Sequence, residues 1–139
     1  MATVTAAAHK TFGRGFSNER QTVKLTYNFA NDAGAFADVV KVGTTEGKIL
    51  VLDSAVHVET ACTSAGSATV IVGVAGGDVD AFLAIGSGAV ASLVDDYAAQ
   101  AAAGQGIVLA SGAAIHLDIA TADLTAGKIN VILSYINID

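Results

Sequence analysis

The sequence predicts an all-β protein: an antiparallel β-sandwich of jelly-roll type with at most one short helix. Three observations predict it. Short segments of two-residue alternation or β-branched runs recur along the chain, and glycine-rich turns separate them. Only one segment carries helical spacing. An immunoglobulin-like sandwich is the alternative, but the chain has no Trp and one Cys, so the Cys…Trp…Cys pattern is missing.

At 139 residues the chain is long enough for one core and too short for two full domains. Residues 1–20 read as a basic, flexible N-terminal arm and residues 21–139 as the sandwich, so every strand is expected to begin at Gln21 or later. In the first strand Val23, Leu25, Tyr27 and Phe29 alternate with Thr22, Lys24, Thr26 and Asn28, which leaves one face wet. Asn31 to Gly34 supplies a turn, Phe36 to Val42 reads as a second strand, and Gly43 to Gly47 turns the chain again. Lys48 to Thr63 exceeds ordinary strand length and is expected to bend or split near Asp53-Ser54.

Ser64 to Ser67 reads as a hairpin loop before Ala68 to Val74, whose Thr69-Val70-Ile71-Val72 core is apolar on both faces. Such a run is either central and covered or placed at a subunit contact, and Val70, Ile71 and Val72 are therefore candidates for a subunit interface. A short apolar segment, Phe82 to Ile85, follows. Ser92 to Ala103 is the helix candidate: Ser92 serves as N-cap, Asp95 stands at the capping-box position, Gly104 ends it, and Leu93, Val94, Tyr97 and Ala101 share one face. Ile107 to Leu109, Ala113 to Ile119 and Lys128 to Ile138 complete the strands.

Charge is sparse and uneven. Charged residues make up 14% of the chain while 53% is hydrophobic, a deficit that suits a surface partly covered by a partner. Residues 1–24 carry four cations and one carboxylate, whereas residues 25–139 carry three cations and twelve carboxylates. An acidic body argues against nucleic acid as a partner, because phosphate-backbone binding rests on many Lys and Arg contacts. No apolar run approaches the length a membrane-spanning helix needs, so no membrane partner is expected. The Met1-Ala2-Thr3 start lacks the basic patch and apolar core of a secretory signal, which predicts synthesis in a cytoplasm without an export step.

No catalytic, cofactor-binding or metal constellation is visible. The three histidines have no short ligand spacing, and His57 beside Glu59 and His116 between Ile115 and Leu117 read as polar partners on strands. Asp78 and Asp80 have a spacing found in calcium loops without the rest of such a loop, and Asp95-Asp96 suits a helix N-terminus. Cys62 reads as a small buried side chain. Gly13-Arg14-Gly15 and Gly86-Ser87-Gly88 are flexible turns, not phosphate loops. In the arm, Lys10, Phe12, Arg14, Phe16 and Arg20 are the candidate docking residues: two phenyl rings to insert into a partner and three cations to pair with its acids.

The runs Val23 to Ala35, Gly47 to Val56, Thr60 to Val70 and Leu124 to Ile129 resemble small virion proteins of tailed bacteriophages, of the capsid decoration (cement) or head-fibre type. The resemblance spans about residues 21–138 through strand-and-turn patterns that carry no chemistry. It implies a non-enzymatic β-sandwich subunit, a homotrimer bound to the major capsid protein on the capsid exterior and made in the host cytoplasm. It implies no cofactor. A glycan-binding sandwich used in host attachment is the alternative, weakened by the absence of Trp and the presence of only three Tyr.

Overall fold

A computed structural model describes residues 3–13, 19–32, 34–84, 89–99 and 106–138. Among these the chain forms β1 (Thr3–Phe12), β2 (Gln21–Asn28), β3 (Val39–Thr45), β4 (Ile49–Thr63), β5 (Thr69–Val74), a 3-10 turn at Val90–Ser92, β6 (Ala98–Ala99), β7 (Ile107–Leu109), β8 (Ala114–Ala120) and β9 (Ala126–Asn137). One sheet has the order β1-β3-β8-β5, and the other β2-β9-β4-β6 with β7 also paired to β4. Apart from β1 and β3, which are parallel, neighbouring strands are antiparallel. Setting β1 aside, β2-β9-β4-β7 facing β3-β8-β5 is the strand order of a jelly roll, the predicted fold class.

The core follows from the alternation. Leu25 and Tyr27 of β2, Ile129, Val131 and Leu133 of β9, and Ile49, Val51, Val56 and Val58 of β4 point inward from one sheet. Val40 and Val42 of β3, Ile115, Leu117 and Ile119 of β8, and Val70 and Val72 of β5 meet them from the other. Burying each of these large apolar side chains is worth roughly 1.5–3 kcal/mol. In β4 the inward residues Val51 and Val56 lie an odd number of positions apart, which unbroken alternation forbids. A register shift between Val51 and Asp53 resets the parity, at the place where Asp53-Ser54 predicts a bend.

Three expectations are corrected. Strands do not begin at Gln21, because Thr3–Phe12 is itself a strand. It lacks the alternating large apolar residues of a sandwich strand, since only Ala6 and Phe12 reach the core. Its pairing with β3 breaks between Thr5 and Lys10, and within the break the Ala7 N–H donates to Asp32 Oδ1 at 2.8 Å. Residues 34–38 are loop, and β3 begins only at Val39: Ala37 takes a left-handed φ of 68°, and the Asp38 carboxylate turns back to accept from Ala35 N.

The third correction concerns the helix. The 3-10 turn ends at Ser92, Asp95 and Asp96 form a turn, and Ala98–Ala99 pairs with His57 and Val56. Residues 100–103 of the expected helix lie outside the described residues. Edge pairing outweighs alanine's helix propensity: Cys62 N donates to Leu93 O, Asp96 N to Val58 O, and Val58 N to Tyr97 O, which lays the segment along β4.

Candidate functional site

The residues singled out as docking groups do not form one surface. Lys10 and Arg20 are exposed, but Phe12 is only 6% exposed and belongs to the chain's own core, so its ring is not free to enter a partner. Arg14 and Phe16 lie outside the described residues. The interface candidates separate in the same way. Val70 and Val72 are fully buried within the sandwich, while Ile71 is half-buried on the outer face of β5. Part of that outer face is covered by the chain itself, since a Cβ added at Gly73 would lie 2.2 Å from the backbone of Val79.

The titratable groups are engaged as structural partners. His57 Nε2 is 3.3 Å from Asp96 Oδ1, and His116, buried on the outer side of β8, is paired through Nδ1 with Asp118. Lys128 Nζ meets Glu59 Oε2 at 2.5 Å across β9 and β4, and this bond holds the Glu59 carboxyl below its usual range. Burial pushes the Cys62 thiol up to about 11. Asp78 and Asp80 share a hydrogen bond that raises Asp80. Asp95 accepts from Ala61 N at 2.5 Å and caps no helix. Among the described residues no three His, Cys, Asp or Glu side chains gather as metal ligands, and no helix is long and apolar enough to cross a membrane.

What remains as a candidate site is surface. On the outer face of the second sheet, Val108, Leu50 and Ile136 stand in one cross-strand row, with Val108 53% exposed. At one end of the sandwich three loops meet, described over residues 29–32 and 34–38, 64–67 and 121–125. Leu124 N donates to Gly34 O at 2.8 Å, Thr125 N to Thr63 O at 2.7 Å, and Ser64 Oγ to Asp123 O at 2.6 Å.

Phe36 projects from this end. At 56% it is the most exposed of the large apolar residues among those described. Its backbone is held on both sides: Phe36 N donates to Asp123 Oδ1 at 2.6 Å, and Ala37 N to Ile119 O at 2.8 Å. Both Ala37 and Thr121, at φ 68° and 75°, take left-handed conformations that L-residues adopt only under local constraint. Sequence reading assigned Phe36 to a strand and so missed it. The signal available was Asp38, a residue depleted in strands and suited to a turn.

The sequence matches no family model and no curated protein. Two solved structures are similar in fold. A chain in the cyanophage Pam1 capsid asymmetric unit is 19% identical with a TM-score of 0.63, and the match covers 91% of this chain and 90% of that one. A chain in the capsid of Ralstonia phage GP4 is 15% identical with a TM-score of 0.66, and the match covers 99% of both. The likeness is one of fold and takes in nine-tenths or more of each chain.

Proposed function

We propose that the chain is a structural protein of a bacteriophage virion, which binds the major capsid protein on the outside of the shell as a homotrimer and stabilises the particle. The observation that carries this reading is the near-complete, two-way coverage by which the fold resembles chains found in two phage capsids. Three features of the chain support it. Its charge content of 14% suits a surface that is partly covered. The Val108–Leu50–Ile136 row offers an apolar strip on the outer face of its sheet. The histidines and the buried cysteine are engaged structurally, so in this reading the chain performs no reaction and needs no cofactor.

The test is direct. Particles assembled without this protein are incubated with it, sedimented, and imaged by electron microscopy, and light scattering reports its mass in solution. External density at regular positions, raised particle melting temperature and a trimeric mass are expected. Density inside the shell, or none, would overturn the proposed role. A monomer at micromolar concentration would overturn the trimer.

A further inference from the structure

We infer that Phe36 is a preformed docking knob: its phenyl ring enters an apolar pocket on the capsid shell whose rim carries Lys or Arg. The inference rests on the reading of the chain as a capsid-bound subunit and names the part of it that makes contact. Its basis is the end of the sandwich described above. A large apolar side chain is left 56% exposed on a segment that is otherwise pinned. Phe36 N is held by Asp123, Ala37 N by Ile119 O, Ala35 N by Asp38 Oδ2 at 3.2 Å, and Asp38 N by Ala35 O at 3.0 Å. With its backbone already held, the segment has little main-chain freedom left to lose on binding, so the ordering cost is confined to the two torsions of the ring. Its chain neighbours Ala35 and Ala37 are small, so a pocket wall can close around the phenyl group.

Charge selects the rim. The three loops at this end contain no Lys or Arg and three carboxylates, of which Asp38 is buried, Asp32 is half-buried and bonded to Ala7 N and Asn28 N, and Asp123 stands at the surface. Asp123 is itself exposed and touches the Phe36 backbone. A partner lined with carboxylates would be repelled, whereas a basic rim is attracted and oriented. Lys128, at the start of this end, is already bound to Glu59.

The experiment measures binding of the full chain to particles assembled without it, by co-sedimentation across a concentration series at 50 and 500 mM NaCl. Phe36→Ala is expected to weaken binding by about 30-fold, the size of an interface hot spot. Phe36→Tyr, which keeps the ring, is expected to stay within about threefold of wild type, since it leaves the buried phenyl contact in place. Asp123→Asn keeps the amide-oxygen acceptor for Phe36 N and removes the charge, so its affinity should fall less with added salt than that of wild type. Circular dichroism melts confirm that each variant is folded. Unchanged binding of folded Phe36→Ala would overturn the knob and leave the capsid reading standing. Failure of wild type to bind would overturn the capsid reading and this inference with it. An unchanged salt response in Asp123→Asn would overturn the basic rim alone.

Discussion

The Phe12 ring lies against Tyr135 with centroids 5.5 Å apart and planes inclined at 59°. The contact joins the last residue of β1 to the core of the opposite sheet, and Gly13 N donates to Tyr135 Oη beside it at 3.3 Å. Phe12 is thus a structural anchor for the amino-terminal strand. Phe12→Ala should lower the unfolding free energy by about 3–5 kcal/mol, as for other buried phenylalanines. Removing residues 1–12 should destabilise the fold at least as much. Urea unfolding followed by circular dichroism checks both; a truncated chain as stable as the full one would make β1 a dispensable appendage.

Gly127 and Cys62 are in equally close contact. Gly127 has φ 146°, and a Cβ there would lie 2.6 Å from Cys62 Sγ. Gly127→Ala should cost about 1–3 kcal/mol through overpacking together with the strain of a side chain at positive φ, and only the first part depends on Cys62. Adding Cys62→Ala should recover part of that loss, although the 3.2 Å approach to the Cys62 Cα remains. A double-mutant cycle in urea measures the coupling, and a coupling of zero would show that the sulfur is not what Gly127 avoids.

Ser54 sits on the inward row of β4 at 2% exposure, and its hydroxyl has no hydrogen-bond partner among the described residues. An unsatisfied buried polar group is a net cost, so Ser54→Ala should raise stability by about 1 kcal/mol. The same urea measurement decides it. A loss of stability would mean that the hydroxyl is bonded after all.

Alkaline pH should lower the stability of the fold through two buried acids. Burial holds the Cys62 thiol protonated to about 11 against an ordinary 9.0. Burial, followed by the charges of Cys62, Asp32 and Asp38, also raises the Tyr27 phenol above its ordinary 10.0. Both groups are acids with raised folded values, so their contribution is intact below pH 9 and is lost as the unfolded chain releases protons that the folded chain retains. Above its unfolded value each group should cost about 1.4 kcal/mol per pH unit. Urea midpoints should therefore fall between pH 9 and pH 11, and in Cys62→Ala the fall should begin nearer pH 10, where only Tyr27 contributes.

Wherever burial on one face dictates residue choice, the sequence was readable. The Leu25/Tyr27 alternation and the continuous run of β5 reappear in the structure, and β4, expected to bend or split near Asp53-Ser54, shifts register between Val51 and Asp53, because a pleated strand with one inward face permits few alternatives. Two strand assignments and the helix were misread for opposite reasons. β1 has an edge position and only two core contacts, so its side chains need not alternate. Residues 34–38 carry an apolar residue that the fold turns outward. The Ser92 to Ala103 segment has helical spacing, but its backbone groups find partners on β4, a tertiary choice that local pattern does not encode. The candidate surface was hidden for a related reason: a protruding ring and a buried one have the same composition.

The broken pairing between β1 and β3 has a consequence for behaviour in a crowded solution. β1 is the edge of its sheet, and a continuous, flat edge would offer an open row of peptide groups to any strand of another copy. Here the ladder that joins β1 to β3 is itself irregular between Thr5 and Lys10, so the strand is not a straight template; Ala7 N–H is already taken by Asp32, and a lysine stands where the ladder resumes. At the opposite edge β5 is sealed by bridges from Val72 to Leu83 and from Thr69 to Ala89. With an irregular strand at one edge and bridged residues at the other, this sheet offers another copy few regular rows of peptide groups to extend, which leaves its faces and loop ends for contacts.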